Sequence, residues 1–148
     1  MEFVRIVKGV EPEAFIFENV VGITQQKHSD VIDYMVSKFK GLGYGISYTV
    51  LNAANYGVPQ RRERFFLIGI KGVENPAFPF PTHFKDDKSY ENFVKDLKVF
   101  PIRKFRKWVS VKDAFKKIPK NPERRSDFAL MNISEPVVKR MTYINQGE

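Results

Sequence analysis

An α/β fold is predicted by three observations. Two short apolar runs, Ala14-Phe-Ile-Phe-Glu-Asn-Val20 and Ile46-Ser-Tyr-Thr-Val-Leu51, flank a stretch with helical periodicity. A third run, Phe65-Phe-Leu-Ile-Gly-Ile70, follows closely, and strands interleaved with a helix indicate α/β architecture. After Gly72 the alternation lapses into an irregular, Pro-rich and basic segment. The chain therefore divides into a sheet-bearing part, residues 1–72, and a second part, residues 73–148.

The first run is short, aromatic and bounded upstream by Pro12, as a buried strand would be. It ends in Glu18 and Asn19, and in open α/β sheets the carboxyl ends of strands are where ligands bind. A helix follows, with Val31, Ile32, Met35, Val36, Phe39 and Leu42 at three- and four-residue spacing. Ser29 or Asp30 can cap its start, and Gly41 and Gly43 stop it. Between the second and third strands lies Asn52-Ala-Ala-Asn-Tyr-Gly-Val-Pro-Gln-Arg-Arg-Glu-Arg64, too polar and too long for a mere spacer. Gly57 and Pro59 shape its turn. Three strands and one evident helix make a thin sheet, so this part reads as a portion of a larger one with an exposed edge.

Asn75-Pro-Ala-Phe-Pro-Phe-Pro-Thr-His83 is an extended crossing. Residues 84–125 then carry 14 Lys or Arg against 6 Asp or Glu, which accounts for the whole net charge of +8. A localised basic block suits either a nucleic-acid-facing patch or a solvated surface. Its densest run is Arg103, Lys104, Arg106 and Lys107, and backbone phosphates are the contact such a run makes. The sole tryptophan, Trp108, stands beside Val109 and Val111 and reads as core more readily than as a base-stacking platform. Val109–Ile118 has Val111, Ala114, Phe115 and Ile118 on one face, a short helix capped by Ser110 and ended by Pro119.

The chain has no cysteine, which excludes disulfides, thiolate metal sites and a cysteine nucleophile within it. His28 and His83 lack metal-ligand spacing, so no metal is expected. No apolar run approaches the roughly 18 residues of a spanning helix, and the start lacks a signal-like apolar stretch. A cytoplasmic protein without a membrane partner is expected, nucleoid-associated if the source is prokaryotic.

Two ordered motifs carry more chemistry: Phe17-Glu-Asn-Val20 and Tyr56-Gly-Val-Pro-Gln-Arg-Arg-Glu-Arg-Phe-Phe-Leu-Ile-Gly69. Together they resemble the Glu-Asn-Val and Gln-x-Arg-x-Arg motifs of DNA cytosine-5 methyltransferases. Leu51-Asn-Ala, Phe80-Pro-Thr-His83, Val109-Ser-Val-Lys-Asp-Ala-Phe115, Ser134-Glu and Arg140-Met-Thr-Tyr-Ile-Asn-Gln-Gly-Glu148 agree with the flanks. The resemblance implies the C-terminal half of a Rossmann-like, S-adenosylmethionine-dependent methyltransferase sheet in residues 1–72. Residues 73–148 would be a linker and the beginning of the target recognition region. Asn55 departs from the pattern, where the family commonly shows Asp.

In the family a cysteine thiolate attacks C6 of a flipped-out cytosine, and C5 then takes a methyl group from S-adenosylmethionine. Attack pushes electrons toward N3 and O2, and groups that protonate N3 or donate to O2 stabilise that charge. The resemblance gives the first task to Glu18, which must then carry or share a proton, and the second to Arg64. Asn19 would order the turn that holds Glu18, and Gln60 and Arg62 would brace the loop. By residue chemistry alone, Glu18 could equally cap the following turn, and Arg62 could be an internal brace.

The family's Gly-rich loop and its Pro-Cys-Gln motif have no match here. Gly41-Leu-Gly-Tyr-Gly45 closes a helix instead of opening one, the wrong geometry for an anionic cofactor end. The cofactor site is thus expected mostly on a missing N-terminal portion or a complementary methyltransferase polypeptide, and the chain alone is expected to be inactive. The expected partners are that polypeptide and double-stranded DNA. A non-catalytic DNA-binding or scaffold relative, and a fragment of a tRNA cytosine-5 methyltransferase, are the alternative readings.

Overall fold

The computed structural model describes residues 1–97 and 105–116. Its first element, helix α1 (Glu2–Val10), has no counterpart among the predicted elements. Val4 and Val7, one turn apart, are buried, and the ring of Phe3 meets those of Phe15, Phe17 and Phe39 at centroid separations of 5.0–5.9 Å. Glu11 ends the helix in the left-handed region, its N–H donating to the Val7 carbonyl at 2.9 Å. Strand β1 (Ala14–Val20) follows, then two single 3-10 turns and helix α2 (Ser29–Gly41).

The helix has the bounds its spacing predicts, but neither expected residue caps it. The Ser29 hydroxyl donates back to the Gln26 carbonyl at 2.9 Å, because the preceding 3-10 turn brings that carbonyl within reach. Ile32, Met35 and Phe39 are buried and Val36 and Leu42 pack against them, while Val31 stays 37% exposed. Strands β2 (Tyr44–Asn52) and β3 (Glu63–Lys71) are each longer than their apolar runs. The ladder continues through polar residues to the Asn52–Glu63 pair, which shortens the polar connection to residues 53–62.

The sheet has the order β1-β3-β2, with β3 antiparallel to both neighbours. Strands β1 and β2 therefore run the same way, and their carboxyl ends meet the beginning of β3 at one edge. Val20, Arg64 and Leu51 lie side by side there. One face of the sheet carries Phe15, Phe65, Leu67 and Ile46 into a core closed by both helices, with Phe39, Phe65, Met35 and Leu67 fully buried. The Tyr44 hydroxyl ties this core to the Pro12 carbonyl at 2.6 Å.

The reading of Ala14–Val20 as a buried strand is corrected to burial on one face. Among the described residues helices cover one face only, and Ile16 is 68% exposed and Val20 55%. Ile68, Ile70, Phe66 and Leu51 lie on that same uncovered side and are partly exposed.

Residues 73–82 carry no helix or strand, and the irregular character expected after residue 72 is corrected only further on, where residues are described. Strand β4 (His83–Phe84) pairs in parallel with strand β5 (Arg106–Lys107), and helix α3 (Asp87–Leu97) lies between them in sequence. Tyr90 and Phe93, spaced for one helical face, pack around Phe84 with Phe105, and the Tyr90 and Phe105 rings stack at 4.3 Å. The Asp86 carboxylate caps α3 by accepting from the Ser89 N–H and hydroxyl, and these bonds hold its pKa below the usual value.

Helix α4 (Val111–Phe115) is capped by Ser110, whose oxygen accepts from the Asp113 N–H at 3.1 Å and whose hydroxyl donates to the Asp113 carboxylate. The helix expected over Val109–Ile118 starts at Val111 and gives way to a turn at Lys116, and residues 117 and 118 lie outside the described residues. Val111 and Phe115 are exposed, at 52% and 63%. Compactness divides the chain into two units, Met1–Ala114 and Phe115–Glu148.

Candidate active site

The topology brings Glu18, near the end of β1, to Arg64, at the start of β3. Register pairs Glu18 with Phe66 and Arg64 with Val20, so the two charged residues are diagonal neighbours on the uncovered face. Their ion pair measures 3.1 Å between Arg64 Nε and Glu18 Oε1. Arg64 Nη1 donates to the Glu63 carbonyl at 2.8 Å. Among the described residues no hydrogen bond engages Arg64 Nη2 or Glu18 Oε2. One carboxylate oxygen and one guanidinium edge are thus held from behind and presented outward. The Glu18 side chain is 48% exposed and that of Arg64 24%.

Asn19 sits beside them, and its side-chain oxygen accepts from the Val20 N–H at 2.8 Å, which fixes the backbone as it leaves the strand. Gln60 and Arg62 are not brought into contact with Glu18. Both are exposed, and among the described residues neither side chain makes a hydrogen bond or ion pair. Their backbone is fixed instead: the Gln60 N–H donates to the Val58 carbonyl at 2.8 Å, and the Arg62 carbonyl accepts from the Ala53 N–H at 3.0 Å.

The connection begins with a 3-10 turn, Ala53–Tyr56, capped by the Asn52 side chain accepting from the Ala54 N–H at 3.0 Å. Gly57 then takes φ 86°, a conformation that favours glycine, and faces the buried His83 ring. The Tyr56 hydroxyl donates to the Pro79 carbonyl at 3.0 Å, and burial pushes its pKa up.

Trp108 is half-buried, and its indole N–H donates to the Asn55 side-chain oxygen at 2.9 Å. An acceptor is what the position requires, and Asn or Asp supplies one equally. The only sign of this role in the sequence is that Asn55 stands where the family commonly shows Asp. An open cleft of about 540 Å³ lies beside this contact, lined by Asn52, Asn55, Glu63, Lys85, Phe93 and Trp108 among others.

Arg106 and Lys107 form β5 and are exposed. Arg103 and Lys104 lie outside the described residues, as do Ser134-Glu and the Arg140–Glu148 segment. Among the described residues no cluster of His, Asp and Glu could hold a metal ion, and no helix is long and apolar enough to cross a membrane.

A family model for C-5 cytosine-specific DNA methylase matches residues 1–145. The chain is 40% identical over 113 residues to the Type II methyltransferase M.XorII of Xanthomonas oryzae pv. oryzae, covering 74% of this chain and 27% of that protein. It is 37% identical over 122 residues to M.SacI of Streptomyces achromogenes, covering 82% of this chain and 29% of that protein. A crystal structure described as a DNA modification methyltransferase encoded within an E. coli prophage aligns with a TM-score of 0.51 and 29% identity, over 80% of this chain and 29% of that one. These relatives are methyltransferases in class, and the chain belongs to the C-5 cytosine-specific DNA methylase family. It spans under a third of the length of these relatives.

Proposed function

We propose that this chain furnishes the cytosine-holding part of a DNA cytosine-5 methyltransferase, with Glu18 and Arg64 as its catalytic residues. The observation that carries this reading is the Glu18–Arg64 pair at the carboxyl end of the sheet, with Glu18 Oε2 and Arg64 Nη2 left open. A cytosine set against them would meet the carboxyl at N3 and the guanidinium at O2, where charge develops when C6 is attacked. Holding the base there requires that it leave the duplex. Asn19 supports the carboxyl from the backbone, and Gln60 and Arg62 complete the pocket wall from the loop.

S-adenosylmethionine is the methyl donor this family membership implies, and the described residues do not fit it. Gly41 ends α2, and Gly45 lies within β2 with the Val73 carbonyl packed against its α-carbon. No glycine-rich loop among them opens a helix toward an anionic group. The nucleophile must also come from elsewhere, since the chain has no cysteine. Residues 1–72 then constitute the C-terminal half of a Rossmann-like catalytic sheet, completed by an N-terminal portion or a complementary polypeptide. The exposure of Ile16 and Val20 and, among the described residues, the unpaired outer edges of β1 and β2 support that incompleteness. Residues 73–148 lead into target recognition, with Arg103, Lys104, Arg106 and Lys107 along DNA phosphates.

The test is transfer of radiolabelled methyl groups to DNA. The purified chain is expected to transfer none alone. Mixing it with a polypeptide that carries the Pro-Cys-Gln and Gly-rich segments is expected to produce activity, and Glu18→Ala to abolish it. Transfer by the chain alone, or full activity of the Glu18→Ala mixture, would refute the reading.

A further inference from the structure

Residues 53–62 are held in an unusual way: tightly from behind and not at all in front. Behind, the Trp108 indole N–H donates to Asn55 Oδ1 at 2.9 Å, and the Thr82 N–H donates to the Asn55 carbonyl, also at 2.9 Å. The His83 ring is packed so closely on Gly57 that a β-carbon there would lie 2.8 Å from Cε1. Within the loop, the Ala53 and Val58 amides donate to the Arg62 and Ala53 carbonyls. In front, Gln60, Arg61 and Arg62 are exposed, and among the described residues their side chains make no hydrogen bond or ion pair. A loop with a fixed backbone and uncommitted polar side chains meets a ligand with little ordering cost.

We propose that Asn55, His83 and Trp108 are positioning residues that latch this loop, so that Gln60 and Arg62 stand preorganised at the base pocket. The inference rests on the reading that the loop addresses a cytosine. None of the three touches Glu18 or Arg64; they act through the loop. The latch also joins the loop to β5, since Trp108 directly follows Arg106 and Lys107 and its own N–H donates to the Phe84 carbonyl at 3.0 Å. The segment that would run along phosphates and the loop that would face the base are thereby fixed to each other.

Amide hydrogen exchange of the full chain, followed by NMR, tests the latch directly. Trp108 is the only tryptophan, so its indole proton gives a single, assignable signal. In Asn55→Leu and in Trp108→Phe, exchange at Ala53 and Val58 is expected to quicken about fivefold, the worth of one hydrogen bond. Exchange at Phe65 and Leu67 is expected to stay unchanged. Asn55→Asp, which keeps the acceptor, is expected to restore the slow rates. Unchanged loop exchange, equal acceleration at Phe65 and Leu67, or failure of Asn55→Asp to restore protection would each overturn the latch.

A second measurement compares binding to a duplex with an unpaired cytosine and to the fully paired duplex. The Leu and Phe variants are expected to lose preference for the unpaired base while keeping overall affinity. Retained preference would overturn the positioning role. If the unsubstituted chain shows no preference, the cytosine reading fails, and the exchange rates still decide the latch.

Discussion

Glu18 and Arg64 contribute little to holding the chain folded. A partly exposed ion pair is worth under about 1 kcal/mol, so the reason for the pair is its placement. The sequence motifs name both residues, but only the diagonal register shows which atoms remain open. The same motif names Asn19, and the bond its side-chain oxygen accepts from the Val20 N–H is a local one. Gln60 and Arg62 were legible as residues and not as contacts, since nothing in a motif distinguishes a side chain that braces from one that waits. Gly57 is the sharpest single position. Its φ of 86° and the His83 ring both oppose a β-carbon. Gly57→Ala is expected to cost about 1–3 kcal/mol, measured as a lower urea midpoint with an unchanged slope.

Among the elements, helix α2 is the one its sequence describes best, because five of the six apolar residues at helical spacing serve one core and only Val31 faces outward. Phe39 is fully buried between Phe3 and Phe15. Phe39→Ala is expected to destabilise by about 3–5 kcal/mol, read by chemical denaturation. Helix α1 is shorter, and its signal rests on Phe3, Val4 and Val7 alone, too few to stand out near a chain start. Helix α3 was hidden for a different reason. Its mean composition is polar, and its apolar side chains pack on Phe84 and Phe105, residues that read as parts of an irregular basic tract. The strand ends were misjudged because hydrogen-bond register, not hydrophobicity, carries β2 and β3 out to Asn52 and Glu63.

At the scale of the whole molecule, the fold class and the thin three-stranded sheet were legible, whereas the strand order was not. Periodicity reports which face of a strand is buried and is silent on which neighbour it pairs with. The charge distribution adds a property no single element has. If the block around β5 runs along phosphates, affinity for DNA must fall steeply with salt. Arg106→Glu with Lys107→Glu is expected to flatten the slope of log affinity against log salt by roughly 2 in equilibrium titrations. An unaltered slope would remove these two residues from the interface.

The order β1-β3-β2 has a consequence for synthesis. The central strand is the last of the three to leave the ribosome, and β1 and β2 are joined only through it. A nascent chain that ends before Glu63 holds two strands with an empty lane between them. Filling that lane joins the three strands and sets Arg64 against Glu18 in the same event. The pocket is therefore not a late refinement of a finished fold, and any premature stop that forfeits it forfeits the sheet as well.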